Sequence, residues 1–139
     1  MPAAPADILL LFKQGLAHQH LGQLAQASRC YEQVLQADPR HFDALYLLGT
    51  ACAQQGRLEQ ALHWLERAAA VRSDHALLQN NLGNLQLALG RDEAAVAAFS
   101  QAVALKPDYA AAFHRRGVAR QRLGQLADRK STRLNSSHW

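Results

Sequence analysis

The chain has 139 residues and a mass of 15.3 kDa, enough for one core and too little for a large two-domain enzyme. Alanine (27) and leucine (23) dominate, aromatics are 6 % and β-branched residues are few, a balance that argues against a β-sandwich or barrel and for helices. The formal charge of +4 is unevenly placed, because residues 1–109 carry a net −2 and residues 110–139 carry +6.

Residues 1–7 read as an N-terminal segment. The apolar run Ile8 to Phe12 has no basic residue before it, so it does not read as a signal peptide. No run approaches the ~18–20 apolar residues of a membrane span, and no membrane partner is expected. From residue 8 onward the glycines set a period. Gly15, Gly49, Gly83 and Gly117 are 34 residues apart, and so are Gly22, Gly56, Gly90 and Gly124. Ala27, Ala61 and Ala95 keep the same step, as do Val34, Ala68 and Ala102. The units are therefore 8–41, 42–75 and 76–109, each read as two amphipathic helices and two turns.

The middle unit shows the logic. From Phe42 to Gln55, Leu45, Leu48, Gly49 and Cys52 recur on one helical face. Gly56 then stands where a helix ends in the left-handed region. From Leu58 to Val71 a second helix carries Leu58, Ala61, Leu65 and Ala68, and a polar turn follows. A glycine inside a helix costs about 1 kcal/mol against alanine. Its recurrence predicts close approach of the partner helix, with Ala27, Ala61 and Ala95 as the small residues opposite. Pro39 and Pro107 end second helices. Asp38 and Asp74, in turns before helices, suit capping or interaction with the helix dipole.

After the third unit one helix is predicted from about 110 to 123, ending at Gly124. Residues 125–139 read as a disordered tail. Asp128 to His138 also resembles one reading frame of a widely used short-read sequencing adapter, which implies an artefact from 128 and a natural gene that continues.

The spacing of Leu45, Leu48, Gly49, Cys52, Ala61 and Leu65, of Leu82, Gly83, Ala95, Phe99 and Pro107, and of Leu11, Gly15, Ala27, Tyr31 and Pro39 resembles the tetratricopeptide repeat (TPR). Gln14, His18, Ser73, Gln79 and Gln86 depart from that pattern. The resemblance covers about residues 8–124, the partial fourth unit 110–124 included. It implies an all-α, right-handed α-solenoid of helix-turn-helix units, with the first helix of each pair lining a concave groove. On that geometry the groove holds Phe12, Lys13, Leu16 and Gln19, then Asp43, Tyr46, Leu47 and Thr50. It continues with Leu77, Asn80, Asn81 and Asn84, then His114, Arg115 and Val118. Asn81 matches the position at which glycosyltransferase-linked repeats of this family line their groove with asparagines. The equivalent Leu47 and Arg115 break that ladder.

Other chemistry is not signalled. The glycines are single, so no phosphate-cradling loop exists, and there is no Gly-x-Ser-x-Gly or His-Glu-x-x-His. Cys30 and Cys52 give neither a disulfide framework nor a Cys-x-x-Cys site and fit small buried thiols in a reducing, cytoplasmic compartment. The 34-residue step explains His41 and His75, while His18 and His20 point to different sides of a helix. No catalytic residue, cofactor or metal site is expected. Arg115, Arg116, Arg120 and Arg122 form a basic cluster, but no aromatics interleave them, so nucleic acid is disfavoured as a partner. The expected function is a protein-interaction scaffold that holds an extended peptide or partner helix. The alternative is the acceptor-recruiting N-terminal part of a bacterial transferase of the O-linked N-acetylglucosamine or sulfotransferase kind.

Overall fold

The structure, a computed structural model, describes residues 5–136. Among them are seven helices and no strand. The chain divides into two compact units between Asp74 and His75. The first unit holds α1 (Pro5–His20), α2 (Leu24–Ala37), α3 (Phe42–Gln54) and α4 (Leu58–Val71). The second holds α5 (Ala76–Ala88), α6 (Asp92–Leu105) and α7 (Ala110–Ser136). The fold is all-α, built from the helical hairpins of an α-solenoid. Residues 1–4 of the expected N-terminal segment lie outside the described residues, and residues 5–7 already belong to α1. Proline suits such a first turn because its missing N–H has no partner there to lose.

The turns follow from the second set of glycines. Gly22, Gly56 and Gly90 have φ of 74°, 78° and 76°. An L side chain in that region costs about 1–2 kcal/mol, so glycine is the residue that closes the helix. The next backbone N–H then reaches back over the end. Gln23 donates to the His18 carbonyl at 2.8 Å, Arg57 to Cys52 at 2.9 Å and Arg91 to Gln86 at 2.8 Å. This double-back satisfies a carbonyl that the helix leaves open.

The first set of glycines works by packing. An added Cβ at Gly15 would come within 2.5 Å of the Tyr31 ring, at Gly49 within 2.5 Å of Leu65, and at Gly83 within 2.5 Å of the Phe99 ring. The close approach expected from the sequence is thus present, and the nearest atoms belong to a bulky side chain of the partner helix. The bulky residue four positions after Ala27, Ala61 or Ala95 sits over the glycine, and the Ala61 carbonyl oxygen lies 3.3 Å from a Cβ on Gly49. The alanines themselves are fully buried.

Helix starts also differ from expectation. The Nδ1 of His41 accepts from the Ala44 N–H, and that of His75 from the Leu78 N–H, each at 3.1 Å. The histidines, not Asp38 and Asp74, cap α3 and α5. Asp38 instead accepts from the Arg40 N–H at 3.2 Å, and Asp74 pairs with Arg72 at 2.8 Å.

The largest departure is α7. It does not end near 123, and residues 125–136 are helical rather than disordered; residues 137–139 lie outside the described residues. Gly117 has open space around it, and Gly124 continues the helix without a positive φ. The earlier glycines turn the chain so that a second helix can bury its face. With no such face following, the helix formers Gln125, Leu126, Ala127, Arg129 and Lys130 extend the helix instead. Side chains from Gly124 to Arg133 are exposed. The adapter-like segment 128–138 thus forms the last turns of α7 as far as residue 136, with residues 137 and 138 outside the described residues.

Tyr31 ties α2 to α1. It is fully buried, and its hydroxyl donates to Gln19 Oε1 at 2.7 Å. Burial, and to a lesser degree the neighbouring Cys30, pushes its phenol up to about 12. The unfolded phenol ionises near ~10. The folded value is the higher, so this stabilisation is complete below about pH 10 and lost as pH rises through about 12. Tyr31→Phe should therefore flatten part of the fall in urea midpoint across that window. An unchanged fall would count against the coupling.

Candidate peptide-binding faces

In the first unit the candidate residues come from α1 and α3. Gln19 Nε2 donates to Thr50 Oγ1 at 3.4 Å, and Thr50 Oγ1 donates to the Leu47 carbonyl at 2.9 Å. The first of these bonds links α1 to α3, and the second fixes the Thr50 hydroxyl on α3. Beside them Leu16, Gln19, His20, Leu47 and Gln54 line an open cavity of about 340 Å³. Leucine methyls and amide groups thus share one surface, the combination that can hold an extended chain and meet its backbone groups. Lys13 and Asp43 are exposed on the same helices. Phe12 behaves differently. Its ring lies 6.0 Å from Tyr31 and 5.3 Å from His41, so it braces the α1 packing as well as facing outward. Tyr46 stacks on Phe42 at 6.2 Å, and Arg72 lies over the same Phe42 ring at 5.6 Å.

In the second unit α5 supplies Asn80, Asn81 and Asn84. Asn80 is 7 % exposed. The Oδ1 atoms of Asn80 and Asn84 are buried and have no hydrogen-bond partner. The two residues are four apart, one above the other along the helix. Leu77 is exposed, and so are His114 and Arg115 on α7. Val118 is half-buried and packs against the core of Phe99, Ala112 and Ala119.

The arginine cluster is partly absorbed by the fold. Arg122 pairs with Asp92 at 3.3 Å and donates to the Leu87 carbonyl at 3.1 Å. Arg116 donates to Ser100 Oγ at 3.3 Å and lies over the Phe113 ring at 5.2 Å. Both thiols are free, and burial raises the pKa of Cys30 and of Cys52. Among the described residues no group of His, Cys, Asp or Glu could hold a metal ion, and no helix is long and apolar enough to cross a membrane. Sequence reasoning missed the Gln19–Thr50 bridge and the histidine caps. The 34-residue step from His41 to His75, each just before a helix, was the available signal for the caps.

Comparison with known proteins agrees with the helical-repeat fold. A family described as "Tetratricopeptide repeat" matches residues 12–75, and one described as "TPR repeat" matches residues 87–124. The chain belongs to the tetratricopeptide repeat family. No curated protein matches it. Among solved structures the TPR chain is similar to MamA, with a TM-score of 0.81 and 24 % identity over 86 % of this chain and 70 % of that one. It is similar to the first TPR of Spaghetti (RPAP3) bound to the HSP90 peptide SRMEEVD, with a TM-score of 0.82 and 19 % identity over 89 % and 98 %. A mutant O-GlcNAc transferase of Thermobaculum terrenum has a TM-score of 0.73 and 32 % identity, over 86 % of this chain but 23 % of its own.

Proposed function

We propose that this TPR protein is a protein-interaction module whose first-helix faces bind an extended peptide. The observation that carries the reading is the open cavity between Leu16, Gln19 and Leu47, where apolar and amide groups converge on adjacent helices. The α5 asparagines support it independently. A buried acceptor without a donor costs about 1–3 kcal/mol, and a backbone N–H from a docked peptide would remove that cost at Asn80 or Asn84. Asn81 on the same helix, and Lys13, Asp43, Tyr46, Thr50, His114 and Arg115, are the further candidates for contact, with Phe12 the most committed to packing. The peptide-bound RPAP3 structure is a precedent for the fold in this role.

The test begins with peptides selected on the full chain from a random phage-displayed library. Affinities are then measured for Leu47→Glu, which charges the first face, and for the double variant Asn80→Ala and Asn84→Ala. Each is expected to weaken its selected peptide about tenfold, the loss of roughly 1.4 kcal/mol, with far-ultraviolet circular dichroism unchanged. Affinities equal to the parent's for both variants would remove the assignment.

A second reading is favoured by the likeness to the Thermobaculum transferase, of which this chain covers 23 %. The repeats would then recruit acceptor protein for a transferase encoded further on. Sequencing the genomic locus discriminates. A transferase domain supports this reading, and a stop after further repeats opposes it.

A further inference from the structure

The 34-residue register leaves one packing position open. Gly15, Gly49 and Gly83 each lie under a bulky side chain of the following helix, whereas a Cβ on Gly117 would meet nothing within 4 Å. Phe113 and Arg116 stand where α3 has Leu45 and Leu48, 68 residues earlier. Those leucines are 0 % exposed, while Phe113 is 44 % exposed. The other side of α7 is already used, since Ala112, Ala119 and Val118 pack with Phe99 and Val103 of α6. What remains on α7 is a glycine floor, a phenyl wall and the exposed Arg120, while Arg116 spans the Phe113 ring and Ser100 of α6.

We propose that this face of α7 docks an amphipathic helix of a partner protein. The helix would run antiparallel to α7 and present a small residue followed four positions later by Phe, Tyr or Leu, with carboxylates in its first turn. The apolar part follows from continuity with an interface that the chain builds three times, over Gly15, Gly49 and Gly83. The charge follows from register. Arg120 holds the place of Gln86, whose carbonyl accepts the Arg91 N–H at the start of α6. The first turn of a helix docked in the same way therefore lies beside Arg120. Carboxylates there complement both the guanidinium and the positive end of the docked helix.

A fluorescently tagged peptide of the α6 sequence, Arg91 to Lys106, is a suitable probe. It carries Asp92 and Glu93 in its first turn and Ala95 four residues before Phe99. Titrated with the full chain, it should bind saturably, more weakly as salt rises. Gly117→Leu fills the socket and should weaken binding about tenfold or more; because that site is open, the variant should retain the parent's circular dichroism and, through the higher helix propensity of leucine, a urea midpoint no lower than the parent's. Arg120→Glu should weaken the probe several-fold, about the worth of one exposed charge contact. A probe with alanine in place of Phe99 should not bind. Absence of binding to the parent would overturn the proposal. So would equal binding to Gly117→Leu, which would mean exchange with α6 over Gly83. Sedimentation of the chain as a dimer that Gly117→Leu dissociates and the probe does not would also overturn it, by assigning the face to a second copy.

Discussion

Phe99→Ala is expected to destabilise the protein by about 3–5 kcal/mol. The Phe99 ring is fully buried and packs with Leu87, Ala102, Ala112 and Ala119. It also fills the space above Gly83, where no side chain could replace it. The neighbours are mostly alanines and glycine, which have no atoms to swing into the void, so the cavity cannot close without moving a helix. Against a total stability of order 5–15 kcal/mol, such a loss should move the urea midpoint far down. A shift corresponding to less than about 1 kcal/mol would mean that the ring is not the centre of this core.

Gly49→Leu should have the next largest effect, a loss of about 1–3 kcal/mol or more. The new Cβ alone would lie 2.5 Å from Leu65 Cδ2, 2.7 Å from Leu65 Cγ and 3.3 Å from the Ala61 carbonyl oxygen. Leu65 is 1 % exposed and has nowhere to turn, and the Ala61 carbonyl belongs to the α4 backbone. The higher helix propensity of leucine returns only about 1 kcal/mol. Denaturant unfolding that matches the parent's would contradict the close approach of α3 and α4.

Much of this was legible in the sequence because steric demand recurs at a fixed step. The bounds of α4, the left-handed turns at Gly22, Gly56 and Gly90, and the burial of Ala27, Ala61 and Ala95 follow from residue size and backbone freedom alone. Which atom lies over each in-helix glycine did not. Periodicity gives the phase of two helices but not their offset along the axis, and that offset places Tyr31, Leu65 and Phe99 over the glycines. The end of α7 was misread for a related reason. Gly124 repeats the identity of Gly90, but a glycine closes a helix only when the chain beyond it has a face to bury. The candidate faces were legible as positions on first helices. Their polar connections, such as Gln19 to Thr50, depend on side-chain directions that spacing does not encode.

The most direct test compares two substitutions in the same register, Gly83→Ala and Gly117→Ala, by urea denaturation. If glycine recurs to admit a bulky side chain from the next helix, the methyl at 83 meets the Phe99 ring and lowers stability by about 1–3 kcal/mol. The methyl at 117 meets nothing and raises stability by about 1 kcal/mol through helix propensity. Opposite signs are predicted; stabilisation at both positions would contradict the nesting of helices on which the rest depends.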